Sequence, residues 1–204
     1  MLSNQQFYHT MKRIIIFASG SGTNAENIIK YFHERKIAEV THVFSNNLRA
    51  KVLKRAHALK VKALHFDKES FYDTNEVLNI LKDAKPDIIV LAGFLWIFPK
   101  KIIEAFPDKV INVHPALLPK YGGKGMYGHH VHEAVVRNKE KESGITIHYV
   151  NEHYDEGAIV FQAKTPISAE DSAEDVAQAI HQLEYKHFPI VIKELLFANK
   201  TSNE

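Results

Sequence analysis

Two polar side chains stand two positions apart where an apolar run ends. Asn112 and His114 open the string NVHPALLP at residues 112–119. Residues two apart in a β-strand project from the same face, so this carboxamide and this imidazole would face one site. Such a pair can stabilise the negative charge that develops on a carbonyl oxygen during acyl transfer. A single histidine in this place is more often a structural group, and the string contains no carboxylate to set its proton state.

A glycine-containing turn follows the first apolar run. Residues 14–18 lead into SGSGTN at residues 19–24, where an amphipathic helical pattern begins. Glycine lets the backbone turn sharply and approach a ligand, and the first N–H groups of a helix attract anions, so the turn predicts a phosphate site. It also matches the dinucleotide pattern G-x-G-x-x-G/A. Residues 45–47 read SNN where a ribose-binding acid should stand, which disfavours NAD. A capped turn without a ligand stays an alternative.

A third polar group lies in the string NEHYDEG at residues 151–157. It holds three carboxylates, Glu152, Asp155 and Glu156, and any of them is a candidate partner for a catalytic histidine. The spacing does not choose among them. A solvated acidic loop is the commoner fate of such a run.

The elements that must position these groups alternate between strand and helix. This order predicts βαβ units and a parallel sheet covered on both faces. After about residue 140 the pattern changes to a hairpin and a last helix that starts at Ser172, in which Pro189 is expected to cause a kink or break. All nine glycines are expected outside element interiors. The predicted strands are 14–18, 40–45, 61–66, 88–92, 110–113, 144–150 and 158–165, and helices are expected at 24–35 and 71–82.

Composition excludes several classes of protein. The 204 residues are 45% hydrophobic and 25% charged, which is ordinary for a globular chain and excludes wholesale disorder. The chain has no cysteine, which removes disulfides, cysteine-bound metals and thiol nucleophiles and fits a cytoplasmic location. A net charge of +2 gives no sign of a strongly basic, nucleic-acid-binding surface. The longest apolar run is too short to span a membrane. We expect a disordered leader at 1–10 and a single domain at 11–204.

Four motifs together resemble the folate-dependent formyltransferases. They are residues 19–24, 91–94 and 111–121, and the stretch 144–150 leading to Asp155, within a similarity that covers about residues 12–197. The resemblance implies an α/β, three-layer Rossmann-like formyltransferase fold with a mostly parallel sheet and a C-terminal antiparallel portion. It implies direct transfer of a formyl group from 10-formyltetrahydrofolate to the amine of 5-phosphoribosylglycinamide, through a tetrahedral intermediate, in purine biosynthesis.

The same resemblance assigns catalytic roles. Asn112, His114 and Asp155 would form the catalytic set, with Asp155 expected to raise the pKa of His114 by favouring its charged form. His148 would orient Asp155 or a water, and Pro119 would follow a cis peptide bond.

The resemblance also assigns binding residues. Those expected to bind the ribonucleotide are Gly22, Thr23, Asn24 and Glu184, the last through the ribose hydroxyls. Those expected to contact the folate are Leu95, Trp96, Ile97, Phe98, Asn112, Asn151, Glu152, His153, Tyr154 and Asp155. Trp96 departs from the family, whose members commonly carry Arg there. No metal is expected, including at the neighbouring histidines His129, His130 and His132.

Several alternatives stay open at this stage. The loop at residues 121–132 is either a lid over the folate or a flexible surface loop. A 10-formyltetrahydrofolate deformylase or a methionyl-tRNA formyltransferase-like enzyme would share much of the pattern. A catalytically silent folate- or nucleotide-binding module is a further possibility. We expect small-molecule substrates, no nucleic acid or membrane partner, and a monomer or homodimer.

Overall fold

A seven-stranded mixed sheet forms the centre of the molecule in the computed structural model, which describes residues 11–198. The leader expected at residues 1–10 lies outside the described residues. The strands are β1 (Lys12–Phe17), β2 (Ala38–Ser45), β3 (Lys62–His65), β4 (Ile88–Leu91), β5 (Val110–His114), β6 (Glu142–Tyr149) and β7 (Ile159–Pro166). Their spatial order is β3-β2-β1-β4-β5-β6-β7. The first five strands are parallel, whereas β6 and β7 are antiparallel additions, as the sequence predicted.

Helices cover both faces of the sheet, which makes three layers. Side chains of β1 alternate between the two cores: Ile14 and Ile16 enter one, Ile15 and Phe17 the other. The first core also holds buried residues of α1, α2, α5 and α6, and the second those of α3 and α4. The helices are α1 (Thr23–Arg35), α2 (Lys51–Ala58), α3 (Glu76–Ala84), α4 (Lys100–Ala105), α5 (His129–Arg137) and α6 (Ala173–Phe197). The predicted fold class is therefore confirmed.

Two local predictions were wrong. The helix expected at 71–82 is divided into a π-helical turn, Glu69–Asp73, and the separate helix α3, because Thr74 between them has an extended backbone. Phe71 of the turn is fully buried in an aromatic cluster, and its burial anchors the turn to the core. Gly144 lies inside β6, not beside it. A Cβ at this position would stand 2.0 Å from the Ala163 carbonyl oxygen of β7, so the close approach of the two strands requires glycine here.

The last helix runs through Pro189 without a break, so of the kink or break expected there the break does not occur. Proline has no N–H, so the carbonyl of Tyr185, four residues earlier, loses its usual helical partner. Asn27 of α1 supplies the missing donor, since its Nδ2 lies 2.9 Å from the Tyr185 oxygen. A contact between two helices thus replaces a hydrogen bond within one.

The turn after β1 is held from behind by α2. Gly22 has a φ of 73°, a left-handed conformation that glycine adopts without steric cost. A Cβ on Gly22 would lie 2.3 Å from Cγ2 of Val52. The Val52 N–H donates to the Gly20 carbonyl at 3.2 Å, and Arg55 Nε donates to the Ser21 carbonyl at 3.0 Å. These contacts set the path of the backbone before α1 begins.

Replacing Asn27 by Ala should leave the Tyr185 carbonyl without a donor. We expect a loss of about 1 kcal/mol in the free energy of unfolding, measured by urea denaturation, because a partly buried acceptor loses its hydrogen bond. Asn79→Ala is the matched control, since Asn79 is exposed on α3. Equal stability changes in the two variants would contradict this explanation of the unbroken helix.

Replacing Gly22 by Ala should disrupt the turn through both the positive φ and the clash with Val52. We expect a loss of about 3 kcal/mol in the free energy of unfolding, the sum of a left-handed backbone penalty and local overpacking. Gly20→Ala is the matched control, because a Cβ there meets nothing within 4 Å. If both variants unfold at the same urea concentration, the turn is not constrained as described.

Candidate active site

One cleft opens at the edge of the sheet where β1, β4 and β5 end. It has a volume of about 780 Å³. The turns after β1 and β4 are joined: the Ser19 N–H donates to the Gly93 carbonyl at 3.0 Å, and the Leu95 N–H donates to Ser19 Oγ at 3.0 Å. Ligands of open α/β sheets bind at this edge, where neighbouring strand ends converge.

One end of the cleft combines the first turn of α1 with a buried acid from α6. Gly22, Thr23 and Asn24 line it, and no side chain caps the N-terminus of α1. Glu184 is 5% exposed, and its Oε2 accepts from Asn24 Nδ2 at 2.8 Å. The first N–H groups of a helix lack partners within the helix and carry its positive dipole end. This end therefore offers donors for an anion and, close by, a carboxylate that can accept from hydroxyl groups.

Two histidines complete that end of the cleft and were not assigned from the sequence. His181 Nδ1 lies 3.0 Å from Glu184 Oε2, and this hydrogen bond raises the pKa of His181. His132 is 4% exposed, and burial lowers its pKa to about 4. His181 precedes Glu184 by three residues, so the helical spacing in the sequence already places both on one face. Nothing in the sequence signals the burial of His132.

The central group consists of Asn112, His114 and Asp155. Asn112 and His114 come from β5 and both line the cleft, as their spacing predicted. Asp155 reaches them from the loop between β6 and β7, with its Oδ2 3.5 Å from His114 Nδ1. The N–H of Gly123 donates to the same oxygen at 3.0 Å. Of the three carboxylates in that loop, the structure brings this one to the histidine.

The pKa values in this group reflect an opposition between burial and charge. Burial is the largest influence on the pKa of His114 and lowers it, outweighing the raising effects of Asp155 and the Tyr121 carbonyl. Asp155 does raise the pKa of His114, as expected, but burial outweighs its effect and the net pKa lies below the ordinary value. Burial would raise the pKa of Asp155, but His148, His114 and the Gly123 N–H together hold it below its usual value. The geometry thus favours a neutral imidazole beside an ionised carboxylate near neutral pH.

His148 of β6 connects Asn112 with the acidic loop. Its Nδ1 lies 2.8 Å from the Tyr149 carbonyl, an acceptor, so Nδ1 carries the proton. Its Nε2 lies 3.1 Å from Asn112 Nδ2 and 3.6 Å from Asp155 Oδ1. One ring nitrogen of His148 thus contacts both the Asn112 amide and the Asp155 carboxylate.

The segment after His114 is held against β6 and β7. Leu118–Pro119 is a cis peptide, as the resemblance implied. Thr146 Oγ1 donates to the Ala116 carbonyl at 2.7 Å and accepts from the Leu118 N–H at 3.0 Å. Gln162 Nε2 donates to the Leu118 carbonyl at 3.0 Å. These hydrogen bonds fix the segment 116–118 against β6 and β7 directly after β5 ends.

A second, smaller cavity of about 60 Å³ adjoins the cleft. Four residues line both spaces, namely Phe94, Asn112, Tyr154 and Asp155. Of the residues expected to contact folate, those that line the smaller cavity are Trp96, Ile97, Phe98, Asn112, Asn151, His153, Tyr154 and Asp155. The structure places the remaining two elsewhere: Leu95 on the larger cleft, and Glu152 outside both, with its Oε2 3.3 Å from Lys100 Nζ. Leu91, Phe94, His148 and Val150 also line the smaller cavity and were missed.

The neighbouring histidines 129, 130 and 132 belong to α5, so the loop expected at 121–132 ends at residue 128. His129 Nε2 and His130 Nδ1 lie 3.4 Å and 3.5 Å from carboxylate oxygens of Glu133 on the same helix. Within residues 11–198 no group of three or more possible ligands converges on a metal position. No helix in the same range is long and apolar enough to cross a membrane.

Comparisons with known proteins agree with this geometry. The family profile described as formyl transferase matches residues 12–192. The chain is 38% identical over 188 residues to phosphoribosylglycinamide formyltransferase of Haemophilus influenzae, covering 90% of this chain and 86% of that protein. It is 34% identical over 194 residues to the Bacillus subtilis protein of that name, covering 93% and 97%. The crystal structure of glycinamide ribonucleotide transformylase 1 from Symbiobacterium toebii has a TM-score of 0.85 at 30% identity, covering 95% and 92%. The chain therefore belongs to the formyl transferase family.

Proposed function

We propose that this enzyme transfers the formyl group of 10-formyltetrahydrofolate to the amine of 5-phosphoribosylglycinamide. The observation that carries the proposal is that two binding spaces meet at Asn112 and Asp155. A transfer between two bound molecules needs such a shared boundary, because the acceptor and the donor must be held in contact. The names of the relatives supply the identity of the acceptor.

The larger cleft suits a phosphorylated ribose compound. The phosphate would bind at Gly22, Thr23 and Asn24, where the uncapped start of α1 presents N–H groups. The ribose hydroxyls would donate to Glu184. Its neighbour His181 adds a hydrogen-bonding group on the same side of the cleft. The amine of the substrate would then extend toward Asn112 and His114.

The smaller cavity suits the flat ring of a folate. Trp96, Ile97 and Phe98 line this cavity, and so do Asn151, His153, Tyr154 and Asp155. Trp96 packs near Phe71 and Tyr72, with ring centroids 6.1 and 5.9 Å away, and adds apolar surface to this side of the cavity.

The chemistry proceeds by direct attack. The amine nitrogen bonds to the formyl carbon, and the carbonyl oxygen becomes an oxyanion that the Asn112 amide stabilises. The attacking nitrogen then loses a proton, and the folate nitrogen gains one as its bond to carbon breaks. His114, neutral near pH 7 because burial lowers its pKa, can accept the first proton and supply the second. Asp155 stabilises the imidazolium that exists between these two steps.

The decisive assay follows tetrahydrofolate release from 10-formyltetrahydrofolate with and without 5-phosphoribosylglycinamide. We expect release only when the ribonucleotide is present. Release without it would identify a 10-formyltetrahydrofolate deformylase. No release in either case would contradict the proposal and leave a methionyl-tRNA formyltransferase-like enzyme or a silent binding module.

Replacing Asp155 by Asn should reduce kcat by about 100-fold or more, since the imidazolium loses its charged partner. KM for both substrates should change by less than about threefold, because an amide occupies the same space. Steady-state kinetics measure both quantities. Asp83→Asn, at an exposed position on α3, is the matched control. Wild-type turnover in Asp155→Asn would show that the carboxylate charge is not used.

A further inference from the structure

One ring nitrogen of His114 is hydrogen-bonded to a backbone carbonyl. Nε2 lies 2.7 Å from the carbonyl oxygen of Tyr121. A carbonyl oxygen only accepts, so Nε2 must carry a hydrogen whenever this contact exists. In the neutral ring, Nδ1 is then the nitrogen with a free lone pair, and it faces Asp155 Oδ2 at 3.5 Å. The position of one carbonyl therefore decides which nitrogen can gain or lose a proton.

The carbonyl of Tyr121 is held by the side chain of the same residue. Tyr121 has a φ of 57°, a left-handed conformation that is costly for a residue with a Cβ. Its hydroxyl donates to Glu140 Oε1 at 2.8 Å and accepts from Asn138 Nδ2 at 2.9 Å. Lys120 Nζ lies 3.0 Å from the same glutamate oxygen. These bonds tie Tyr121 to the chain that follows α5, on the side away from the cleft.

We propose that Tyr121 and Glu140 are positioning residues for His114: they hold the Tyr121 carbonyl against Nε2, so the proton exchanged in catalysis is carried at Nδ1, beside Asp155. The catalytic part of this inference rests on the proposed function, whereas the tautomer of His114 does not. Neither Tyr121 nor Glu140 lines the larger cleft or the smaller cavity. Both therefore act through the backbone carbonyl and not by touching a substrate.

The charges around His114 agree with a role for Nδ1. Asp155, His148 and Glu184 are the titratable groups whose charges act on the ring. Asp155 is the carboxylate in contact with it, so an imidazolium gains most from a proton on the nitrogen that faces Asp155. Glu140 is paired with Lys120, so the anchor adds little net charge at the site.

The test compares variants of the anchor. Tyr121→Phe and Glu140→Ala should lower kcat about tenfold and leave KM for both substrates within about twofold, because the carbonyl relaxes from a strained position. Glu140→Gln should retain most of the activity, since an amide oxygen still accepts from the tyrosine hydroxyl. Glu142→Gln is the matched control, because it removes an exposed pairing with Lys164 on the neighbouring strand.

A second readout does not depend on turnover. Nitrogen-15 NMR of histidine-labelled protein at mildly alkaline pH, with the His114 signals assigned by their loss in His114→Asn, reports which nitrogen carries the hydrogen. We expect the Nε2–H form in the wild type and a mixture of tautomers in Tyr121→Phe. An Nδ1–H form in the wild type, or unchanged kcat and tautomer in both Tyr121→Phe and Glu140→Ala, would overturn the inference. A wild type that lacks transferase activity but shows Nε2–H would refute the proposed function alone.

Discussion

The parallel pairing of β1, β4 and β5 is the constraint on which the rest of the site depends. These three strands are neighbours in the sheet, so their carboxyl ends lie at one edge. The glycine turn, the apolar segment after β4 and the Asn112–His114 pair each follow one of these ends. Separate stretches of sequence thereby become the walls of one cleft, and the helices that cover both faces keep the strands in register.

The antiparallel strands β6 and β7 and the loop between them supply the two side chains that surround the Asn112–His114 pair. Pairing of β6 with β5 puts His148 opposite Asn112, and the loop after β6 carries Asp155 to His114. The resulting group is buried enough to keep the imidazole neutral, yet close enough to a carboxylate to stabilise its charged form for a short time. A histidine in this balance can both take and return a proton within one catalytic cycle.

Much of this arrangement follows from local patterns in the sequence. The spacing of the apolar residues predicted the strands of the sheet and several of its helices. The two-residue spacing of Asn112 and His114 predicted that both side chains lie on one face. The family resemblance, and not the spacing, selected Asp155 among the carboxylates. Local patterns failed where distant atoms decide the outcome: Asn27 on another helix preserves the helix at Pro189, and desolvation sets the pKa of His114. Such effects depend on which side chains meet in three dimensions.

The central claim is that the acceptor amine and the formyl carbon meet at Asn112, His114 and Asp155. A crystal structure with 5-phosphoribosylglycinamide and a folate analogue that cannot release its formyl-like group tests this directly. The account predicts the phosphate on the N–H groups of the turn before α1, and the amine within about 3.5 Å of the analogue's carbonyl carbon, a near-attack distance. An amine bound away from these three side chains, or an analogue outside the smaller cavity, would contradict it.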